Sequence, residues 1–197
     1  MEFILSNIIE SITTALKNID KRYCELSRID YAKEELREIK EAAKFLERPF
    51  AYEFYHQWRT LLDNHIFNFG NHVIQAEVSK EYQHIFETGT IPDFIIHTPN
   101  EPAENLAVIE FKLASNDKKR IYDDFDKLLK FKQIANYQYL IEVVIGDDMQ
   151  IKNALERIKE VDSDDGEGII VIAFEVMGKT IEVSEIKYKN AAIKKGE

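Results

Sequence analysis

One cysteine, Cys24, stands among the 197 residues, so the chain can form neither an internal disulfide nor a cysteine-based zinc cluster. That usage suits a reducing cytoplasm, with Cys24 expected as a small buried apolar group. The stretch from Met1 to Glu10 lacks both a basic leader region and an uninterrupted apolar run, so it reads as helix and not as a signal peptide or membrane span. No membrane partner is expected. The five histidines, His56, His65, His72, His84 and His97, show neither H-E-x-x-H nor any paired zinc spacing. GxxxxGK[ST], GxGxxG and GxSxG are missing as well, which leaves nucleotide hydrolysis, dinucleotide binding and esterase chemistry without support. The acidic run from Asp162 to Gly168 departs from a calcium loop because its first glycine comes one position early, and it reads as a helix-to-strand turn.

Positive charge is also in short supply. Lys and Arg number 26 against 36 Asp and Glu, a formal net charge of -10, which counts against a generally basic nucleic-acid coat. Any contact with DNA or RNA is then local. The best candidate is the stretch after Glu110, where Lys112, Lys118, Lys119, Arg120, Lys127, Lys130 and Lys132 outnumber Asp117, Asp123, Asp124 and Asp126. Taken alone, such a mixed run reads as a solvated helix face.

What is present is ordinary globular composition, with 45% apolar and 31% charged residues. The chain length fits one α/β domain with a helical extension, divided as 1–48 for an N-terminal extension packed on the core, 49–190 for the core, and 191–197 for a tail that frays. Apolar residues at three- and four-residue steps predict helices over Phe3 to Ile19, Asp30 to Leu46, and onward from Pro49, the last with Phe50, Phe54, Trp58, Leu61 and Leu62 as its stripe. Strands are predicted at His72 to Val78, Phe94 to His97 and Ala107 to Leu113, the last two joined by a turn-rich link that suits an antiparallel pair. A helix from Lys119 to Ile134 and a nearly continuous apolar strand, Tyr139 to Ile145, then make a right-handed parallel crossover. A helix from Met149 to Val161 and a hairpin of Gly168 to Val176 with Thr180 to Ile186 complete a mixed central sheet with flanking helices.

Glu110 and Lys112 are two apart on a predicted strand, so they leave one face while Phe111 leaves the other. A carboxylate there can hold a hard cation through oxygen, and the ammonium can orient or deprotonate a water attacking phosphorus. Asp93, after Pro92, brings a second carboxylate from the adjacent strand. E-x-K also occurs at Glu38-Ile39-Lys40 and Glu185-Ile186-Lys187, but the first lies on a predicted helix and the third has no Asp-bearing strand before it. The bland alternative makes Asp93 a turn residue and Glu110 with Lys112 a surface ion pair. Val108, Ile109, Phe111 and Leu113 argue against it, because charged groups on a central strand are costly unless paired or metal-bound.

Pro92-Asp93 followed by Val108-Ile109-Glu110-Phe111-Lys112 resembles the signature of the PD-(D/E)XK, or restriction-endonuclease-like, nuclease superfamily. The predicted order from Pro49 to Ile145, αβββαβ, is similar to that family's core. The resemblance implies a nuclease in which Asp93 and Glu110 bind Mg2+ (Mn2+ substituting), Lys112 positions the attacking water, and a helical glutamate, here Glu53, assists. It implies a nucleic-acid substrate, with DNA expected. Gln57, Glu77, Lys80 and His97 are further candidates for the site's lining, although Glu77 and Lys80 more often face solvent and His97 reads more readily as satisfied polar packing. The other reading is an inert nucleic-acid or protein-interaction module that keeps the fold without cutting. A two-fold homodimer is expected from the shortage of cations per copy, with the N-terminal helix either forming its interface or capping its own sheet.

Overall fold

The computed structural model describes residues 2–23, 25–26, 44–77, 91–101, 103–115 and 118–189. Its elements run α1 (Glu2–Asn18), a short helical turn Lys21–Tyr23, β1 (Glu25–Leu26), β2 (Lys44–Phe45), α2 (Glu47–Asp63), β3 (Val73–Ala76), β4 (Phe94–His97), β5 (Asn105–Leu113), α3 (Lys118–Ala135), β6 (Tyr139–Gly146), α4 (Asp148–Lys159), β7 (Glu167–Glu175) and β8 (Thr180–Tyr188). The last six strands form one open mixed sheet in sequence order, β3-β4-β5-β6-β7-β8. Pairs β5–β6 and β6–β7 are parallel and the other three antiparallel.

Parallel neighbours need crossovers, and α3 and α4 supply them. Both lie on one face, where Ile121, Phe125, Leu128, Ile151 and Leu155 meet Val108, Leu140, Val144 and Val171. The opposite face carries α1 and α2, whose Ile8, Ile12, Leu16, Phe50, Phe54 and Trp58 meet Phe94, Ile109, Phe111, Val143 and Ile172. The domain is therefore three layers, helices on both sides of a sheet, and its central strands are largely apolar because both of their faces are covered, Glu110, Lys112 and Glu142 being the charged exceptions.

Local chemistry sets the boundaries. Asp147 caps α4, its carboxylate accepting from the Gln150 amide at 2.8 Å while the Gln150 side chain accepts from the Asp147 amide at 3.2 Å. Helix α2 begins at Glu47, two residues before the expected Pro49. Pro49 is tolerated there because first-turn amides have no partner within the helix. The helix predicted over Asp30 to Leu46 ends differently: Lys44–Phe45 pairs antiparallel with Glu25–Leu26, a pairing that overrides the helical stripe at its end. The rest of that helix, Cys24, Lys80 and the tail 191–197 lie outside the described residues.

Helix α1 lies along α2 within its own chain. Ile8, Ile12, Ala15 and Leu16 are fully buried, and the Trp58 indole donates to Ser11 Oγ at 3.0 Å. Only the outer end of its stripe is open, with Phe3 82% exposed. No helix among the described residues is long and apolar enough to cross a membrane.

Candidate active site

The alternation on β5 sends Val108 to the α3 face and Ile109 and Phe111 to the α2 face, so Glu110 and Lys112 face α3. The antiparallel register of β4 pairs Phe94 with Ile109, and continuing it by one residue sets Asp93 beside Glu110. Asp93 is fixed there from both sides: its Oδ2 accepts from the Phe111 amide at 2.7 Å, and its carbonyl accepts from the Glu77 amide at 3.0 Å. Asp93, Glu110 and Lys112 are thus brought together on one face of adjacent strands.

Helix α3 covers this group with charge. Lys127 Nζ donates to Glu110 Oε2 at 2.7 Å, and Lys112 Nζ pairs with Asp124 Oδ2 at 2.6 Å, each of the latter two side chains 14% exposed. On β6 the parallel register sets Glu142 opposite Glu110. Glu142 is wholly buried, and neither of its oxygens, nor Glu110 Oε1, has a hydrogen-bond partner. From α2, Glu47 Oε2 accepts from the Leu113 amide at 3.2 Å and its charge is felt by both Asp93 and Lys112.

Four carboxylates, Asp93, Glu110, Asp124 and Glu142, therefore face two ammonium groups, Lys112 and Lys127, under partial or complete burial. Burial first, then the Asp93 charge, pushes the Glu110 carboxyl well above its usual range against the pull of Lys127. Burial does the same to Glu142, reinforced by Asp124 and Glu110. Asp93 is raised by burial, with the Phe111 amide and Lys127 opposing, and Asp124 by burial, with Lys112 opposing. Burial works to lower the Lys112 ammonium, but the Asp124 hydrogen bond and the charges of Glu47 and Glu142 outweigh it and hold the group above its ordinary value. The site is an over-supply of hard oxygen donors, the donor type that suits magnesium. Among the described residues no three Asp, Glu, His or Cys side chains stand as a set ready to hold an ion, and Lys127 and Lys112 engage oxygens of Glu110 and Asp124.

The remaining expected residues lie elsewhere. Glu53 is buried, but its Oε1 accepts from Gln57 Nε2 at 2.8 Å and from the Asp20 amide at 3.4 Å, so it and Gln57 serve the join between α1 and α2. The α2 carboxylate that reaches the site is Glu47, and the assisting role expected of Glu53 is corrected accordingly. His97 Nε2 bonds Gln75 Oε1 at 2.6 Å at the far end of β4. The Glu77 side chain turns to Arg48, 3.5 Å away at the exposed edge.

Glu142, Asp124, Lys127 and Glu47 were not singled out as site residues by sequence reasoning. Glu142 did carry a signal, being the only charged residue from Tyr139 to Ile145 in a strand covered on both faces. Asp124 and Lys127 flank the buried positions Ile121, Phe125 and Leu128, so they sit at the margin of the helix's inner face and not on a solvated one. No family model, curated protein or solved structure matches the chain.

Proposed function

We propose that this chain is a magnesium-dependent nuclease on a restriction-endonuclease-like core, hydrolysing phosphodiester bonds of DNA. One observation carries the reading: Asp93 and Glu110 lie side by side on antiparallel neighbours, with Lys112 on the same face. The run α2, β3, β4, β5, α3, β6, with its last two strands parallel, agrees with the core that the sequence resemblance implies.

Asp93 and Glu110 are the residues that would hold the ion, which when bound supplies Lewis-acid stabilisation of charge on the phosphoryl group. The partnerless Glu110 Oε1 fits that role, since a buried acceptor without a donor is otherwise an uncompensated cost. The chain's own residues do the rest. Lys112 is held as an ammonium, so it acts as a charged donor that orients the attacking water and a phosphate oxygen, and not as the proton acceptor. Asp124 fixes its position, and the Phe111 amide fixes Asp93. Lys119, Arg120 and Lys130 on α3 offer local contacts to the phosphate backbone.

Incubation of the purified chain with duplex DNA, single-stranded DNA and RNA in Mg2+ or Mn2+ tests the reading. Cleavage that EDTA stops and Glu110→Gln abolishes is expected, and no cleavage of any substrate would remove it. The second reading, an inert binding module, draws on the net charge of -10 and on the ion pairs that occupy Lys112 and Glu110. Such a module binds nucleic acid or protein equally well with and without the ion.

A further inference from the structure

Among the described residues Glu142 is the one buried carboxylate with both oxygens lacking a partner. It is completely buried, both of its oxygens lack a partner, and apolar residues surround it along β6. Leu140 and Val144 place its face of the strand under α3, and the register sets it opposite Glu110, whose Oε1 is also partnerless. Neighbouring strands lie ~4.8 Å apart, so two carboxylates at opposed positions on one face meet. Like charges in that arrangement repel. Lys127 brings one positive charge to Glu110, from a flexible stem whose side chain is 24% exposed and so has a way out to solvent.

We propose that Glu142 is a third oxygen ligand, beside Asp93 and Glu110, of a divalent-cation site in which the Lys127 ammonium occupies the cation's place while the cation is away. The inference rests on the nuclease reading for the other two ligands. Three carboxylates from three successive strands, β4, β5 and β6, offer a hard dication the charge that Lys127, with Lys112 shared with Asp124, only partly balances. Withdrawal of Lys127 frees Glu110 Oε2 and lets the three carboxylates close. A cation there explains why a wholly buried carboxylate with no hydrogen bond occupies the centre of the sheet.

The test is Mn2+ binding to the full chain, read by calorimetry and by the electron paramagnetic resonance of free Mn2+. Glu142→Gln keeps the shape and removes the charge, and it should weaken Mn2+ binding by about tenfold or more, the scale seen when groups supporting a metal are lost. Lys127→Met should tighten binding by roughly threefold or more, because a competing cation is gone. A Glu142→Gln chain that binds Mn2+ as tightly as the parent overturns the proposal and makes Glu142 a buried neutral acid. If that variant does not fold, Lys127→Met decides, and unchanged or weaker binding overturns the proposal. A parent that binds no Mn2+ overturns it as well. The nuclease reading fails separately: if the parent binds Mn2+ and Glu142→Gln weakens that binding, yet the parent cuts neither DNA nor RNA, the cation site stands and the nuclease reading falls.

Discussion

Glu110 on β5 and Glu142 on β6 are register partners across a parallel strand pair, 2% and 0% exposed; Lys127 bonds Glu110, while Glu142 feels only the charge of Lys112, which is itself paired with Asp124. Such a pair is costly to ionise in the absence of a cation. The cost makes the stability of the chain depend on pH in a direction opposite to that of most surface carboxylates.

Both groups have folded-state values above the ordinary 4.5. In the window above that value the unfolded chain has released protons that the folded chain retains, so stability falls as pH rises through the window. In EDTA, the melting temperature should therefore climb as pH is lowered from about 8 to about 5.5, with about 1.4 kcal/mol returned for each tenfold of proton affinity the fold confers. Glu142→Gln should raise stability at the alkaline end by about 1–3 kcal/mol and flatten the slope. Thermal denaturation followed by circular dichroism across that range is the check. A melting temperature that rises toward pH 8 would show that both carboxylates are compensated as anions.

Asp93 separates charge from hydrogen bonding. Its Oδ2 accepts from the Phe111 amide, so Asp93→Asn keeps an acceptor while Asp93→Ala leaves a buried N–H unpaired, a loss of about 1–3 kcal/mol. Relief of repulsion with Glu110 acts in the other direction in both variants. On the proposed nuclease reading both should lose cleavage. Asp93→Asn should melt no lower than the parent and Asp93→Ala should melt lower than Asp93→Asn, as calorimetry will read. The reverse order would mean that the backbone contact contributes nothing.

Much of the core was legible from pattern: β6 reads as a nearly continuous apolar run, and α2 and α3 as three-and-four stripes. The short β1–β2 pair was not, since two-residue strands carry no period. At the site, Pro92-Asp93 and Glu110-Phe111-Lys112 could be read because spacing on a strand fixes which residues share a face. The α3 charges could not be ranked that way. Ion pairing pulls Asp124 and Lys127 inward, and only the strand partners reveal it. Glu47 carried no signal at all, for its role depends on where α2 begins. Glu53 misled because its burial is spent on the join with α1.

Helix α1 is an internal layer for most of its length. Deleting Met1 to Ile19 would strip Ile8, Ile12 and Leu16 from the core and leave the Trp58 indole without Ser11. Each large apolar side chain contributes about 1.5–3 kcal/mol of burial, so the loss rivals the whole stability of a typical domain, about 5–15 kcal/mol. The truncated chain should aggregate or stay unfolded. Phe3→Ser with Ile4→Ser touches only the exposed end and should leave the melting temperature unchanged. If light scattering shows a dimer in the parent and a monomer in that variant, α1 makes the interface; a dimer in both places the interface elsewhere.

Lys112 and Asp124 form a partly buried ion pair whose breaking should be felt in both stability and chemistry. Lys112→Met leaves the Asp124 carboxylate facing Asp93 with only Lys127 nearby, a loss of about 3 kcal/mol for an uncompensated buried charge. Asp124→Leu added to it removes the stranded charge and should recover most of that loss, so the double-mutant cycle should show a coupling of about 2 kcal/mol. On the proposed nuclease reading, cleavage should be lost in Lys112→Met and should stay lost in the double variant, because restoring stability does not restore an ammonium to the site. Mn2+ affinity should survive in both, since lysine is not an oxygen donor. If the double variant regained cleavage, Lys112 would be a structural partner of Asp124 with no part in the reaction. If Lys112→Met lost Mn2+ as severely as Glu110→Gln, its charge would be holding the carboxylates in place, and its assignment as the group that orients water would have to be given up.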